Sequence, residues 1–165
     1  QDRFDLIATG HSITPTRAQV VDFTNPHYCT FSVIVSKASG PKTLDDLKGK
    51  VVVVPIGTDY FEQLKKIQGI KEVRTVPNES DALQTLLANR ADAWVTDGFI
   101  AQEAVQAQKK HGIAVGSPVH KQVNAMVVAK GNAALKGFFD QKLNDLLADG
   151  TYTTLSNKYF SKDIR

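Results

Sequence analysis

The chain has 165 residues, 42% of them hydrophobic, and its 20 Lys and Arg against 17 Asp and Glu leave a formal net charge of +3. That apolar content can bury the core of one domain or of two small lobes. The scattered basic residues, without a stripe of interleaved aromatics, argue against a nucleic-acid face, and no apolar run approaches the roughly 20 residues that cross a bilayer.

The first predicted element is a buried strand over residues 4–9, delivered into a turn that carries Gly10, His11 and Ser12 and then Arg17. Polar groups at the end of a strand are where open α/β sheets collect ligands. Arg17 adds a planar fork of donors suited to a carboxylate. Pro15 suits the first turn of a short helix, expected over residues 16–22. Residues 30–37 read as a strand closed off by Ser39-Gly40-Pro41. The one cysteine, Cys29, excludes an intrachain disulfide and reads as a buried, inert thiol.

Thr43 and Asp46 have the spacing of a capping box that opens a short helix over 44–47. Four consecutive valines, residues 51–54, follow as a strand buried on both faces, the pattern of a parallel sheet covered by helices. Gly57, Thr58 and Asp59 form the next strand-to-helix turn, with Thr58 as N-cap of a helix to about Gln68. Such a helix start suits a ligand carboxylate, although capping alone would also account for Thr58. A strand over 71–76, a helix over 79–88 and a strand over 91–96 lead to Asp97, which reads as the N-cap of a helix to about Lys110. Short strands are expected over 113–115 and 123–129. A long helix starts after Gly131-Asn132, its stripe of Leu135, Phe138, Phe139, Leu143, Leu146 and Leu147 read as core, and a short helix over 152–160 ends the chain. The alternation from 51 to 115 predicts an α/β unit with a mostly parallel sheet.

Four stretches together resemble the family of periplasmic solute-binding proteins that capture amino acids for ABC importers. They are Ser12, Ile13, Thr14 and Arg17 followed by Phe23, Thr24, Pro26 and Tyr28; residues 44–58; residues 89–97; and residues 149–160. The resemblance implies a type II periplasmic-binding-protein-like α/β fold, two lobes with mostly parallel sheets joined by a two-strand hinge. Lobe 1 would comprise residues 1–29 and 122–165, and lobe 2 residues 30–121 with the hinge crossings. It implies that a small amino acid or similar zwitterion is bound and delivered to an ABC transporter permease, in the periplasm or at the cell surface, with no cofactor. Arg17 would hold the α-carboxylate, helped by backbone N–H groups near Gly10 and Asp59, while Asp97 and Ser12 would hold the α-ammonium. Gly57 and Thr58 would line the ligand, and His11 would be a pocket wall or a solvated turn residue.

The sequence departs from the family's pattern in two places. Asp59 stands where relatives carry Thr or Ser, and its charge would repel a ligand carboxylate unless it points away or meets a cationic ligand group. The first lobe also lacks the family's opening strand, helix and strand. The reading therefore expects a second chain, a swapped or complemented oligomer, or a differently built sheet to complete it. The start carries no basic, apolar and small-residue leader pattern, so any export signal is expected to have been removed.

Other chemistries find less support. Gly10-His11-Ser12 lacks the second glycine of a nucleophile elbow, and the acid that dehydratase relatives carry shortly after the position of Asp97 is absent at Gly98, Phe99 and Ile100. The four histidines have no metal-ligand spacing and there is no phosphate-cradling glycine loop. A cyclohexadienyl-dehydratase-like enzyme and a scaffold or sensory domain without its own ligand are the alternatives.

Overall fold

The structure, a computed structural model, describes residues 4–165. In chain order its elements are β1 (Leu6–Ser12), α1 (Pro15–Ala18), β2 (Val21–Phe23), β3 (Tyr28–Lys37), β4 (Val51–Pro55), α2 (Tyr60–Leu64) and β5 (Glu72–Val76). They continue with α3 (Glu79–Leu87), β6 (Ala93–Asp97), α4 (Gly98–Ala107), β7 (Ile113–Ala129), α5 (Ala133–Ala148) and α6 (Thr151–Phe160). The chain forms two compact units, one from the residues up to Thr30 together with Gln122–Arg165, the other Phe31–Lys121.

In the Phe31–Lys121 unit, β4 lies between β5 and β6 and runs parallel to both, pairing Val51↔Glu72 to Pro55↔Val76 on one side and Val52↔Ala93 on the other. β3 joins antiparallel to β6 through Ser32↔Asp97 to Ser36↔Ala93. The four valines behave as their pattern predicts, because successive side chains of a strand face opposite layers. Val53 packs with Val33, Val35, Trp94, Ala82, Leu86 and Ala101. Val52 and Val54 pack on the other face with Ile34, Val95, Tyr60 and Leu64. Helices therefore cover both faces, which is why this strand has no polar side. Thr43 and Asp46 make both hydrogen bonds of the capping box, at 2.9 and 3.3 Å, but what they cap is a single 3₁₀ turn, Asp45–Leu47.

In the other unit β1 and β2 each pair antiparallel with β7, through Ser12↔Asn124 and Val21↔Ala129 among others. The expected buried strand over 4–9 is corrected here. β1 lies at one end of the strand order, and Ile7 is 44% exposed and Phe4 82%. An apolar run records β-propensity, not which faces are covered. The expected helix over 16–22 is only Pro15–Ala18, because Val21–Phe23 is drawn into pairing with β7.

β7 is one strand of 17 residues rather than two short ones, since Gly116 and Pro118 are carried within it instead of breaking it. The α5 stripe is core only in part: Leu143 is buried, whereas Phe138 is 55% and Leu146 40% exposed. The α6 end is tied back by the Tyr152 hydroxyl, which donates to the His27 carbonyl, and by Cys29 N–H, which donates to Ile164 O at 2.8 Å. Cys29 itself is half-buried.

Candidate functional site

The predicted site residues fall into two groups, one in each unit. In the first, Gly10 and His11 are strand residues rather than turn residues. Between Ile7↔Val127 and His11↔Ala125, four steps along β1 face two along β7, a bulge that re-aims the end of the strand. The Tyr28 side chain rests against Gly10, where a Cβ would lie 2.6 Å from Tyr28 Cζ and closer still to its hydroxyl.

Ser12, the last residue of β1, is 6% exposed, and its Oγ accepts a hydrogen bond of 2.7 Å from Gln122 Nε2. Thr14 then caps α1 by accepting from Arg17 N–H at 3.2 Å. This turn folds the Arg17 side chain back on the strand end, where Nη1 donates to the Ser12 carbonyl at 2.9 Å. The guanidinium, with five N–H donors in a fixed fork, is thus anchored through one of them beside Ser12. Burial first, and then the Arg17 charge, push the His11 imidazole below its ordinary value, so a neutral ring accompanies the guanidinium at pH 7. His11 is half-buried at this strand end.

In the second unit the parallel register of β4 and β6 sets their carboxyl ends at one edge of the sheet, with the 57–59 turn after β4 and Asp97 closing β6. Asp97 caps α4 as expected, Oδ1 accepting from Phe99 N–H at 2.7 Å. Thr58 does not cap α2. Its hydroxyl donates to the Pro55 carbonyl at 2.8 Å, and Asp59 takes the cap position without a side-chain cap bond. α2 stops at Leu64 rather than near Gln68, because Lys66 and Ile67 bond three residues back and tighten the chain out of the α-helix. Its five residues carry little of the dipole that a longer helix would offer an anion. Gly57 is exposed in the turn.

Two contributors escaped the sequence reading. Gln122 is 5% exposed on β7, two residues before the equally buried Asn124. Two polar residues at strand period were the available signal. Glu79, the first residue of α3, accepts from Trp94 Nε1 at 3.0 Å. Burial raises its carboxyl above the ordinary glutamate value, with the Asp97 charge adding to the rise and the hydrogen bond from Trp94 opposing it. A raised folded-state value means that the native chain binds more protons than the unfolded chain just above pH 4.5, so this contribution to stability falls as pH rises through that window. Glu79→Gln, which keeps an acceptor for Trp94, is therefore expected to melt higher than the wild type at pH 7 and to flatten the pH dependence of the melting temperature above pH 5, measured by circular dichroism. A parallel pH profile in both proteins would show that Glu79 does not titrate in this way.

Among the described residues no cluster of three or more His, Cys, Asp or Glu could hold a metal ion, and no helix is long and apolar enough to cross a membrane. A cavity of about 510 Å³ in the Phe31–Lys121 unit is lined by Lys37, Asp46, Lys50, Asn89 and Asp92 and by none of the predicted site residues. Its carboxylates are occupied by backbone N–H groups of Lys42, Thr43 and Val51.

The chain is similar to the L-cystine-binding protein of Escherichia coli K12, 31% identical over 98% of this chain and 62% of the relative. It is 29% identical to the ABC transporter arginine-binding protein 1 of the same bacterium, over 96% of this chain and 67% of the relative. It therefore spans less than two thirds of the length of the cystine-binding relative. Among solved structures, an ancestral arginine-binding protein bound to glutamine matches with a TM-score of 0.91 at 32% identity, over 97% of this chain and 72% of that one. The arginine-, lysine-, histidine-binding protein of Geobacillus stearothermophilus matches with a TM-score of 0.89 at 29% identity, over 98% and 71%. These relatives are named as binding proteins rather than enzymes, and the fold is the α/β fold of type II periplasmic binding proteins. The model of the bacterial extracellular solute-binding proteins, family 3, matches residues 1–162, and the chain belongs to that family.

Proposed function

We propose that the chain captures an amino acid or a closely related zwitterion in the periplasm or at the cell surface and delivers it to the permease of an ABC importer, binding it without catalysis. Arg17 receives the α-carboxylate and Asp97 the α-ammonium, since a zwitterion withdrawn from water needs a fixed cation and a fixed anion to replace its hydration. The observation that supports this most is the anchoring of Arg17 on the Ser12 carbonyl at the end of β1. It presents a guanidinium at a fixed place in a chain whose relatives are named for cystine and arginine.

Asp59 and Thr58 line the approach from the β4 turn. Asp59 favours a ligand with a second cationic group, such as arginine or cystine, over a small neutral amino acid.

The test separates the two ends of the ligand. Asp97→Asn keeps an acceptor for the α4 cap but removes the charge. It is expected to weaken amino acids about tenfold more than their deaminated analogues, by isothermal titration. Equal losses for the two ligand classes would remove Asp97 from the ammonium role.

A further inference from the structure

The turn after β4 and Asp97 lie at the carboxyl ends of the strands in the Phe31–Lys121 unit, whereas the cavity of about 510 Å³ opens at their amino ends, where Lys50 precedes β4 and Asp92 precedes β6. The five residues of β4, roughly 16 Å of strand, separate the two edges. The volume falls within the roughly 300–1,000 Å³ of pockets that hold small molecules. Four charged side chains line it, Lys37 and Lys50 against Asp46 and Asp92. Among the described residues none of the four is in an ion pair, although Lys48 and Asp45, their neighbours in the chain, pair at 2.8 Å. Backbone groups hold the carboxylates instead. Asp92 Oδ2 accepts from Val51 N–H at 2.8 Å while Asp92 N–H donates to Val51 O at 2.8 Å, and Asp46 Oδ2 accepts from the N–H groups of Lys42 and Thr43 at 3.0 and 2.9 Å. A carboxylate has about four lone-pair sites, more than these bonds use. The Lys42 and then the Thr43 N–H hold the Asp46 carboxyl below its ordinary value, so it keeps its charge. The Lys37 ammonium donates to the Leu87 carbonyl at the long distance of 3.5 Å, and Lys50 Nζ makes no hydrogen bond among the described residues.

We infer that this cavity is a second zwitterion site, in which Lys37 and Lys50 receive the carboxylate and Asp46 and Asp92 the ammonium of a free amino acid. The charge pattern favours that class of ligand over others. With two positive and two negative side chains on the wall, a simple anion meets two carboxylates and a simple cation two ammoniums, while a zwitterion finds a partner for each end. Asn89, in the left-handed conformation at φ 57°, adds a neutral amide that can donate or accept. The buried Pro41 and Ala91 supply an apolar part of the wall. The site is open to water and its lysines are flexible, so an affinity in the roughly millimolar range is expected. Neither Arg17 nor Asp97 takes part in it, so the two sites stand or fall separately.

Glycine is the probe, with acetate and methylamine as its two charged halves, each titrated into the isotope-labelled chain and followed by backbone amide shifts in NMR. Saturable shifts at Lys37, Lys50, Asn89 and Asp92 are expected with glycine, and about tenfold weaker binding with either half alone. Lys50→Gln, and Asp92→Asn, which keeps an acceptor for Val51 N–H, should each weaken glycine about fivefold or more at these amides, and the dispersion of the other amides shows that each variant is folded. Arg17→Ala should leave these shifts unchanged. Glycine binding no tighter than acetate or methylamine, shifts indifferent to both substitutions, or no saturable shift at these amides would overturn the inference while leaving the roles of Arg17 and Asp97 in place. Failure of the amino-acid reading at Arg17 and Asp97 would leave these shifts as they are.

Discussion

Arg17→Ala is expected to weaken amino-acid binding by about 100-fold or more, the loss that follows when one partner of a desolvated, hydrogen-bonded charge pair is removed. The fold should survive the change. Arg17 is half-buried, outside the apolar core, and on a four-residue helix whose cap is made by Thr14 rather than by the guanidinium. The guanidinium's hydrogen bond to the Ser12 carbonyl is a net contribution of roughly 1 kcal/mol. Titration together with a thermal melt separates the two effects: affinity should collapse while the melting temperature moves by a few degrees. Unchanged affinity would remove Arg17 from the site, and global unfolding would make its role structural.

The second large effect is on stability. Gly116 lies in β7 where that strand crosses the backbone of Lys42, and a Cβ built on it would be 2.9 Å from Lys42 Cα and 3.0 Å from its carbonyl carbon. Neither side can give way easily. Ser117 N–H donates to Lys42 O at 2.6 Å, and Lys42 Nζ donates to the buried Ser36 hydroxyl at 2.8 Å and to Lys37 O at 2.7 Å. Ser36 Oγ in turn donates to Pro41 O at 2.7 Å, so the 36–42 segment is pinned at several points. Burial also pushes the Lys42 ammonium below its ordinary value, consistent with a side chain used inside this network. Gly116→Ala should lower the unfolding free energy by about 2 kcal/mol or more, the range for overpacking against backbone. A urea titration would show a lower midpoint with an unchanged slope. An unchanged midpoint would mean that β7 can shift away from Lys42 at little cost.

What could be read from the sequence depended on whether a residue's partners were near it in the chain. Val51–Val54 could be placed because a run apolar at every position fits only a strand covered on both faces, and Asp97 because its cap is closed by Phe99, two residues on. The same holds for Thr43 and Asp46, whose two bonds span three residues, although the length of the helix they open was beyond the pattern. Thr58 was misplaced because a threonine before a helix can satisfy the helix or the strand behind it, and Pro55 offered the nearer carbonyl. The exposure of Phe4 and Ile7 was hidden because burial depends on neighbours that propensity does not record. Of the candidate site, the grouping of Ser12 with Arg17 was legible from their spacing. Gln122 was not, because its contact with Ser12 joins positions 110 residues apart and only the pairing of β1 with β7 brings them together.

The most direct measurement is isothermal titration of the 165-residue chain with a panel of amino acids headed by cystine and arginine, each beside its α-amide and its deaminated analogue. Saturable, micromolar-range binding of at least one member is expected, weakened by at least about tenfold when either the α-carboxylate or the α-ammonium is blocked. Binding indifferent to both groups, or no heat with any member of the panel, would contradict it.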